Sequence, residues 1–357
     1  MVDTLCLDYV FTINNFETLI NAINGLASSM NQKKLSQLSI GETSKKKKQK
    51  IYSTSTFTKY GFTKVQIIKN YNNFEYGLYH LHLVYKPAQI NYDDLYALSS
   101  LKDLTNACNK FNAFIDLLNS SMNNSFNLPY INKWKVIRID YAFQFITPYA
   151  ELYTWIFHKS NLPAKNDKYK TSLYYSNTST TVNFYDKTNQ LIEKNLLPAN
   201  ILKNPHIIRL EVQCKKKYLS RIKSLLAPDE DFLSIYDVWN AKIAYTILSQ
   251  KLIQLFGIGN FYSYDSAEEI IKNLYKGKTE NILNLLLLSG THTLEDVFDF
   301  YDKKYHKKPG YAKNQLRRIL SANNINTILL PDNSPITCLT HPIKLLNDEY
   351  KNVLPLK

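Results

Sequence analysis

Tyr185, Asp140 and Glu211 carry the chemistry this sequence offers most plainly. Tyr185 lies in Thr180-Thr181-Val182-Asn183-Phe184-Tyr185-Asp186-Lys187, a run that alternates as a β-strand does. On that reading Asn183, Tyr185 and Lys187 share one face, with Tyr185 and Lys187 about 7 Å apart along the strand. A phenol titrates at about pH 10, so it is a poor nucleophile at neutral pH unless a cation or metal favours the phenolate. Lys187 is one way to supply that charge. Arg138-Ile139-Asp140 and Arg209-Leu210-Glu211 sit in two further alternating runs, each with a carboxylate two residues after an arginine. Two carboxylates and a phenol on one sheet face can hold a divalent ion, Mg²⁺ or Mn²⁺, over a phosphodiester. The plain alternative is an antiparallel sheet with a polar, solvated face.

The elements that must position these groups follow from the periodicity. Residues 2–11 predict a strand, and Leu19, Ile20, Ile23 and Leu26 recur at helical spacing over Phe16–Met30. Residues 51–58, 62–69 and 76–86 predict a meander. Its last strand carries His80 and His82 on one face; neutral imidazoles two apart suit a divalent metal, or are ordinary half-buried strand residues. His82 is the candidate third ligand beside Asp140 and Glu211, with His80 behind it. A long helix over Tyr92–Ser121, the Asp140 strand, a helix over Tyr149–Ser160 and a hairpin of 171–177 with 180–187 follow. Tyr174 and Tyr175 on that hairpin are packing residues or base-stacking ones. The Glu211 strand leads into a basic helix with Lys215, Lys216, Lys217, Arg221 and Lys223.

Together these predict an α+β domain over residues 1–228, a mainly antiparallel sheet with helices on one face. Past Ala227-Pro228-Asp229-Glu230-Asp231 the pattern is helical, at about 235–256, 266–275, 279–288, 293–305 and 311–322, giving a smaller second domain over 229–357. Basic residues including Arg317 and Arg318 cluster there, as in a helix-turn-helix reader of DNA or on a plain helical surface.

In order and spacing, several of these stretches resemble the rolling-circle replication initiators of filamentous phages and related plasmids, the gene II type. Met1-Val2-Asp3-Thr4-Leu5-Cys6-Leu7 looks like that family's opening strand, and Arg138-Ile139-Asp140 like its Arg-Ile-Asp motif. Tyr185-Asp186-Lys187 falls on its nucleophile motif. Arg209-Leu210-Glu211 with Lys215-Lys216-Lys217-Tyr218-Leu219 is similar to its Arg-aromatic-Glu strand and basic helix. His80-Leu81-His82 departs from it and is the metal signature of another class of rolling-circle nucleases and relaxases, in which the tyrosine usually sits on a helix after the histidine strand. The resemblance implies metal-dependent, site-specific nicking of origin DNA, with Tyr185 attacking, Lys187 assisting, and Asp140, Glu211 and His82 holding the ion. It implies a 5′-phosphotyrosine, a free 3′-hydroxyl primer and later strand resealing. Arg138 and Arg209 would bind phosphates or pair with the neighbouring carboxylates. The alternative is a non-enzymatic, sequence-specific DNA-binding regulator of replication.

Composition sets bounds on this. In 357 residues, 44 Lys and Arg against 30 Asp and Glu leave a net charge of +14, which favours a polyanionic partner. The 45% hydrophobic content is enough for a core. No apolar run spans a bilayer, so no membrane is expected. Four cysteines without paired spacing fit a reducing cytoplasm. Gly277-Lys278-Thr279 lacks the first glycine of a phosphate loop, Lys272 standing there, so unwinding falls to a host helicase and extension to a host DNA polymerase.

Overall fold

The computed structural model describes residues 2–30, 36–38, 49–70, 78–90, 96–123, 125–160, 167–169, 171–197, 205–274, 283–284, 299, 302–304, 306, 308, 310, 314, 318–320 and 322–351. The chain divides into two units that interleave along the sequence. Residues 1–142, 177–180 and 213–244 form the first; residues 143–176, 181–212 and 245–357 form the second.

The first unit contains β1 (Val2–Thr12), β2 (Ser36–Leu38), β3 (Gln49–Thr54), β4 (Phe62–Asn70), β5 (Leu78–Tyr85) and the start of β6 (Lys135–Thr147). Their order is β2-β3-β4-β5-β1-β6, and every neighbouring pair is antiparallel. β1 has a strand on either side, and Val2 through Asp8 are all buried. β5 shows the alternation that sorts the two faces. Tyr79, Leu81, Leu83 and Tyr85 are buried, while His80, His82 and Val84 are half-buried. Helices α1 (Phe16–Ser29) and α2 (Leu104–Ser121) cover the buried set. Phe16 stands 4.6 Å from Tyr79 and Phe111 5.7 Å from Tyr85, ring to ring, and the Tyr85 hydroxyl donates to the Ala107 carbonyl at 2.8 Å. The histidine side of β5 therefore faces away from both helices.

α2 begins at Leu104, not near Tyr92 as the apolar spacing predicts. Ser100 and Asp103 form a capping box around a single 3₁₀ turn, and the Ser99 backbone exchanges hydrogen bonds of 3.0 and 3.1 Å with Val2. Those backbone groups are spent on the sheet and cannot enter a helix.

The second unit holds the rest of β6, then α3 (Ala150–Lys159), β7 (Asp167–Tyr169), β8 (Ser172–Ser176), β9 (Thr180–Asp186), α4 (Lys187–Glu193) and β10 (His206–Lys215). Its strand order is β10-β9-β8-β7. Phe184 of β9 is fully buried between Phe157 of α3 at 4.3 Å and Phe256 at 5.3 Å. β10 leads into α5 (Lys216–Leu226) and α6 (Ile235–Val238), both of the first unit, and α7 (Ala241–Phe256) follows. The single helix expected over 235–256 is broken because Asn240 caps α7, its side-chain oxygen accepting the Lys242 N–H at 2.9 Å. The chain then forms β11 (Phe261–Tyr262), α8 (Tyr264–Leu274), β12 (Cys338–Leu339) and α9 (Pro342–Tyr350).

The fold is thus α+β with a large, mainly antiparallel sheet, as the patterning predicts. The helices expected at 279–288, 293–305 and 311–322 fall mostly outside the described residues, as does Arg317. Among the described residues, no helix is long and apolar enough to cross a membrane.

Candidate functional site

In the first unit, Asp8 of β1 is the direct cross-strand partner of His82 on β5, and Val10 that of His80. Directly opposed residues of an antiparallel pair share a face, which brings one carboxylate and two imidazoles together. The Asp8 Oδ1 lies 2.8 Å from His82 Nε2, and its Oδ2 lies 3.1 Å from His80 Nδ1. Burial acts to raise the Asp8 carboxyl, but hydrogen bonds from His80 and His82 and their charge outweigh it and hold the group down at about 2. Asp8 is therefore a carboxylate at any working pH.

These three residues are the metal-ligand group found among the described residues; one ligand atom from each lies within 4.8 Å of the others. The arrangement fits an ion. Two ligands each about 2.1 Å from a metal and at right angles stand roughly 3 Å apart, which matches the separations here. Mixed imidazole and carboxylate donors favour a transition ion such as Mn²⁺ over Mg²⁺, which prefers oxygen alone.

Asp140 stands elsewhere on β6, opposite Thr4 of β1. Arg138 grips it with two hydrogen bonds, Nε to Oδ1 at 2.8 Å and Nη2 to Oδ2 at 2.6 Å. Burial raises the Asp140 carboxyl, against the lowering effect of Arg138. The hydrogen bond to Asp140 in turn pushes the Arg138 guanidinium up. Beside them Lys86 pairs with Asp3 at 3.3 Å, and the Thr4 hydroxyl donates to Asp3 at 2.6 Å.

Tyr185 and Glu211 meet in the second unit. The Tyr185 hydroxyl donates to Glu211 Oε1 at 2.6 Å. Arg209 brings Nη1 to 3.6 Å from the same oxygen and sends Nε and Nη2 to Gln144 Oε1 at 3.1 and 2.6 Å. Tyr185 is only 4% exposed, so its strand does not offer the open polar face that alternation suggested.

Lys187 is not on the strand at all. β9 ends at Asp186, because the Asp186 carboxylate accepts the Asn189 N–H at 2.9 Å and caps α4, whose first residue is Lys187. The other Asp186 oxygen takes His206 Nδ1 at 2.5 Å. Lys187 Nζ reaches Gln190 Oε1 at 3.1 Å. Strand alternation thus does not carry Lys187 to the side of Tyr185.

The basic candidates are distributed as follows. Lys215 donates to the Asn177 carbonyl at 2.8 Å, while Lys216 and Lys217 are exposed on the first turn of α5 and Arg318 is exposed in the second unit. Tyr174 is exposed, and Lys251 stands over the Tyr175 ring at 5.8 Å.

Asp8 is the residue that sequence reasoning missed, since its partners lie more than 70 residues away. One signal was present: an acid inside the apolar run Leu5-Cys6-Leu7-Asp8-Tyr9, where an unpaired carboxylate is not tolerated.

Residues 97–242 match the family model for the N-terminal part of a phage replication-associated protein, the gene II protein. Over that stretch the chain is similar to a phage replication-associated protein family, which is consistent with a phage rolling-circle replication initiator. The matched stretch takes in Arg138, Asp140, Tyr185, Glu211 and α5, and begins beyond Asp8, His80 and His82. No curated protein and no solved structure matches the chain.

Proposed function

We propose that this protein starts rolling-circle replication by nicking one strand of origin DNA, and that Asp8, His80 and His82 hold the divalent ion the reaction needs. The observation that carries this reading is the convergence of those three side chains on the sheet face turned away from α1 and α2. Asp140 and Glu211, the first choices from sequence, already face arginines, so Asp8 and His80 join His82 in their place. A bound Mn²⁺ or Mg²⁺ would supply a Lewis acid to a DNA phosphate held at the first unit.

The chain's own groups account for the rest. Tyr185 gives its phenolic proton to Glu211, with which it already shares a hydrogen bond. The phenolate oxygen bonds to phosphorus, the P–O3′ bond breaks, and the 3′-oxygen leaves, taking a proton from water to become the hydroxyl that primes a host polymerase behind a host helicase. Resealing runs the same exchange backwards. The charge of +14, with Lys216 and Lys217 exposed, holds the DNA backbone without reading sequence.

A second tyrosine competes for the attack. Tyr218 of α5 belongs to the same unit as Asp8, His80 and His82 and is half-exposed; burial pushes its phenol up, and the charge of Arg221 opposes that only in part.

The test is to incubate supercoiled plasmid carrying the protein's own flanking DNA with wild type, Tyr185→Phe and Tyr218→Phe, with and without Mn²⁺. A metal-dependent, SDS-stable adduct lost only in Tyr185→Phe supports Tyr185, and one lost only in Tyr218→Phe transfers the role. Binding without a nick in any of the three favours the non-enzymatic regulator.

A further inference from the structure

The pairing of β1 with β6 is not regular. Cys6 faces Arg138, but Leu7 faces Val136 and Asp8 faces Lys135, so Ile137 is an extra residue, a bulge. In an unbroken strand Lys135 and Arg138, three apart, would point to opposite faces. The bulge reverses the parity between them. Val136 and Ile139 still point to the core, where both are buried, while Lys135 and Arg138 both reach the polar face. Lys135 thereby comes directly across from Asp8, on the far side from His82. Cβ atoms of such partners are about 5 Å apart, within reach of a lysine side chain.

The cations around this face differ in what they are tied to. Arg138 is committed to Asp140 and Lys86 to Asp3. Among the described residues, no hydrogen bond or ion pair ties the Lys135 ammonium, and the side chain is half-exposed. Lys64 of β4 is exposed as well, but its cross-strand partner is Val84, not a member of the ligand group.

We propose that Lys135 is a phosphate-binding residue, aimed by the bulge so that its ammonium holds a non-bridging oxygen of the phosphodiester bound at Asp8, His80 and His82. A dication and an ammonium on the two sides of one carboxylate leave a net positive cleft matched to a singly charged phosphodiester. The inference rests on the metal-centre reading above and adds the residue that receives the substrate there.

The full-length protein is loaded with Mn²⁺ and titrated with dimethyl phosphate, and binding is read from paramagnetic broadening of the ³¹P resonance. Mn²⁺ affinity is measured alongside for wild type, Lys135→Ala, Lys135→Arg and Lys64→Ala. The expected result is unchanged Mn²⁺ affinity in all four and dimethyl phosphate binding roughly ten-fold or more weaker in Lys135→Ala. Lys135→Arg restores most of it and Lys64→Ala loses little. Retained Mn²⁺ affinity also shows that the variants are folded. If Lys135→Ala binds Mn²⁺ and dimethyl phosphate as wild type does, the role of Lys135 is overturned and the metal centre stands. If wild type binds no Mn²⁺, the metal-centre reading fails and takes this one with it.

Discussion

Asp8 and Glu211 are both carboxylates on sheet strands, and the residues around them differ in kind. Asp8 is met by two imidazoles, which as neutral rings can turn to a metal. Glu211 is met by a phenol and a guanidinium, and a guanidinium cannot serve as a ligand. The first arrangement can admit an ion among its members; the second neutralises its carboxylate with groups already present. The partners of a carboxylate, not its presence on a polar face, decide whether it is a metal site. Asp140, held by two hydrogen bonds from Arg138, belongs with Glu211 in this respect.

The strongest way to break this contrast is to remove ligands. His82→Ala is expected to lower Mn²⁺-dependent nicking at least a hundred-fold, measured as the rate of open-circle formation, because an ion with two remaining protein ligands is held weakly. Asp140→Asn, judged by the same assay at the same metal concentration, should keep its metal requirement unchanged. The reverse pattern would return the ion to Asp140.

Next in size is the packing beneath the second face. Phe184→Ala removes a ring packed between Phe157 and Phe256 and should cost about 3–5 kcal/mol in chemical denaturation. A loss below about 1 kcal/mol would mean that β9 is not anchored there.

Acid separates the units by window. His341, stacked on Phe261 and accepting the Ile343 N–H as the cap of α9, is pushed down to about 3 by burial. Its proton is taken up by the unfolded chain at about pH 6.5, so the stability it leaves intact above that value falls as pH drops, by about 1.4 kcal/mol per unit, until about pH 3. Asp8, also held below its ordinary value, contributes stability that persists above about pH 4 and is lost only as pH falls towards about 2. His341→Asn keeps a capping side chain and should flatten the upper window alone, read from denaturation midpoints between pH 7 and 4.

The smallest effect on stability concerns Tyr185. Tyr185→Phe removes one hydrogen bond to a charged acceptor and should cost about 1–3 kcal/mol of stability while, on the proposed mechanism, abolishing the adduct. A stability loss with the adduct intact would make Tyr185 a structural partner of Glu211 and leave Tyr218 as the nucleophile.

Much of the frame was legible in advance. The alternation of Ile208, Leu210 and Val212 against Arg209 and Glu211 largely survives as burial on β10, and the helical spacing from Phe16 gives α1 almost to its last residue. What was not legible depends on partners distant in sequence or on single backbone irregularities. Nothing local to His80 or His82 points to Asp8, because the register of β1 against β5 makes that pair. The parity of Lys135 is reversed by one extra residue, which leaves no mark in Lys135-Val136-Ile137-Arg138. Lys187 opens α4 instead of ending the strand because Asp186 reads equally as a strand residue and as a helix cap, and the capping bond to Asn189 prevails.

The most direct test of the metal centre is a Mn²⁺ titration followed by electron paramagnetic resonance on wild type, His80→Ala, His82→Ala, Asp140→Asn and Glu211→Gln. The account predicts one tight site in wild type, lost in both histidine variants and kept in Asp140→Asn and Glu211→Gln. A site that survives both histidine substitutions and disappears with Asp140 or Glu211 would contradict it.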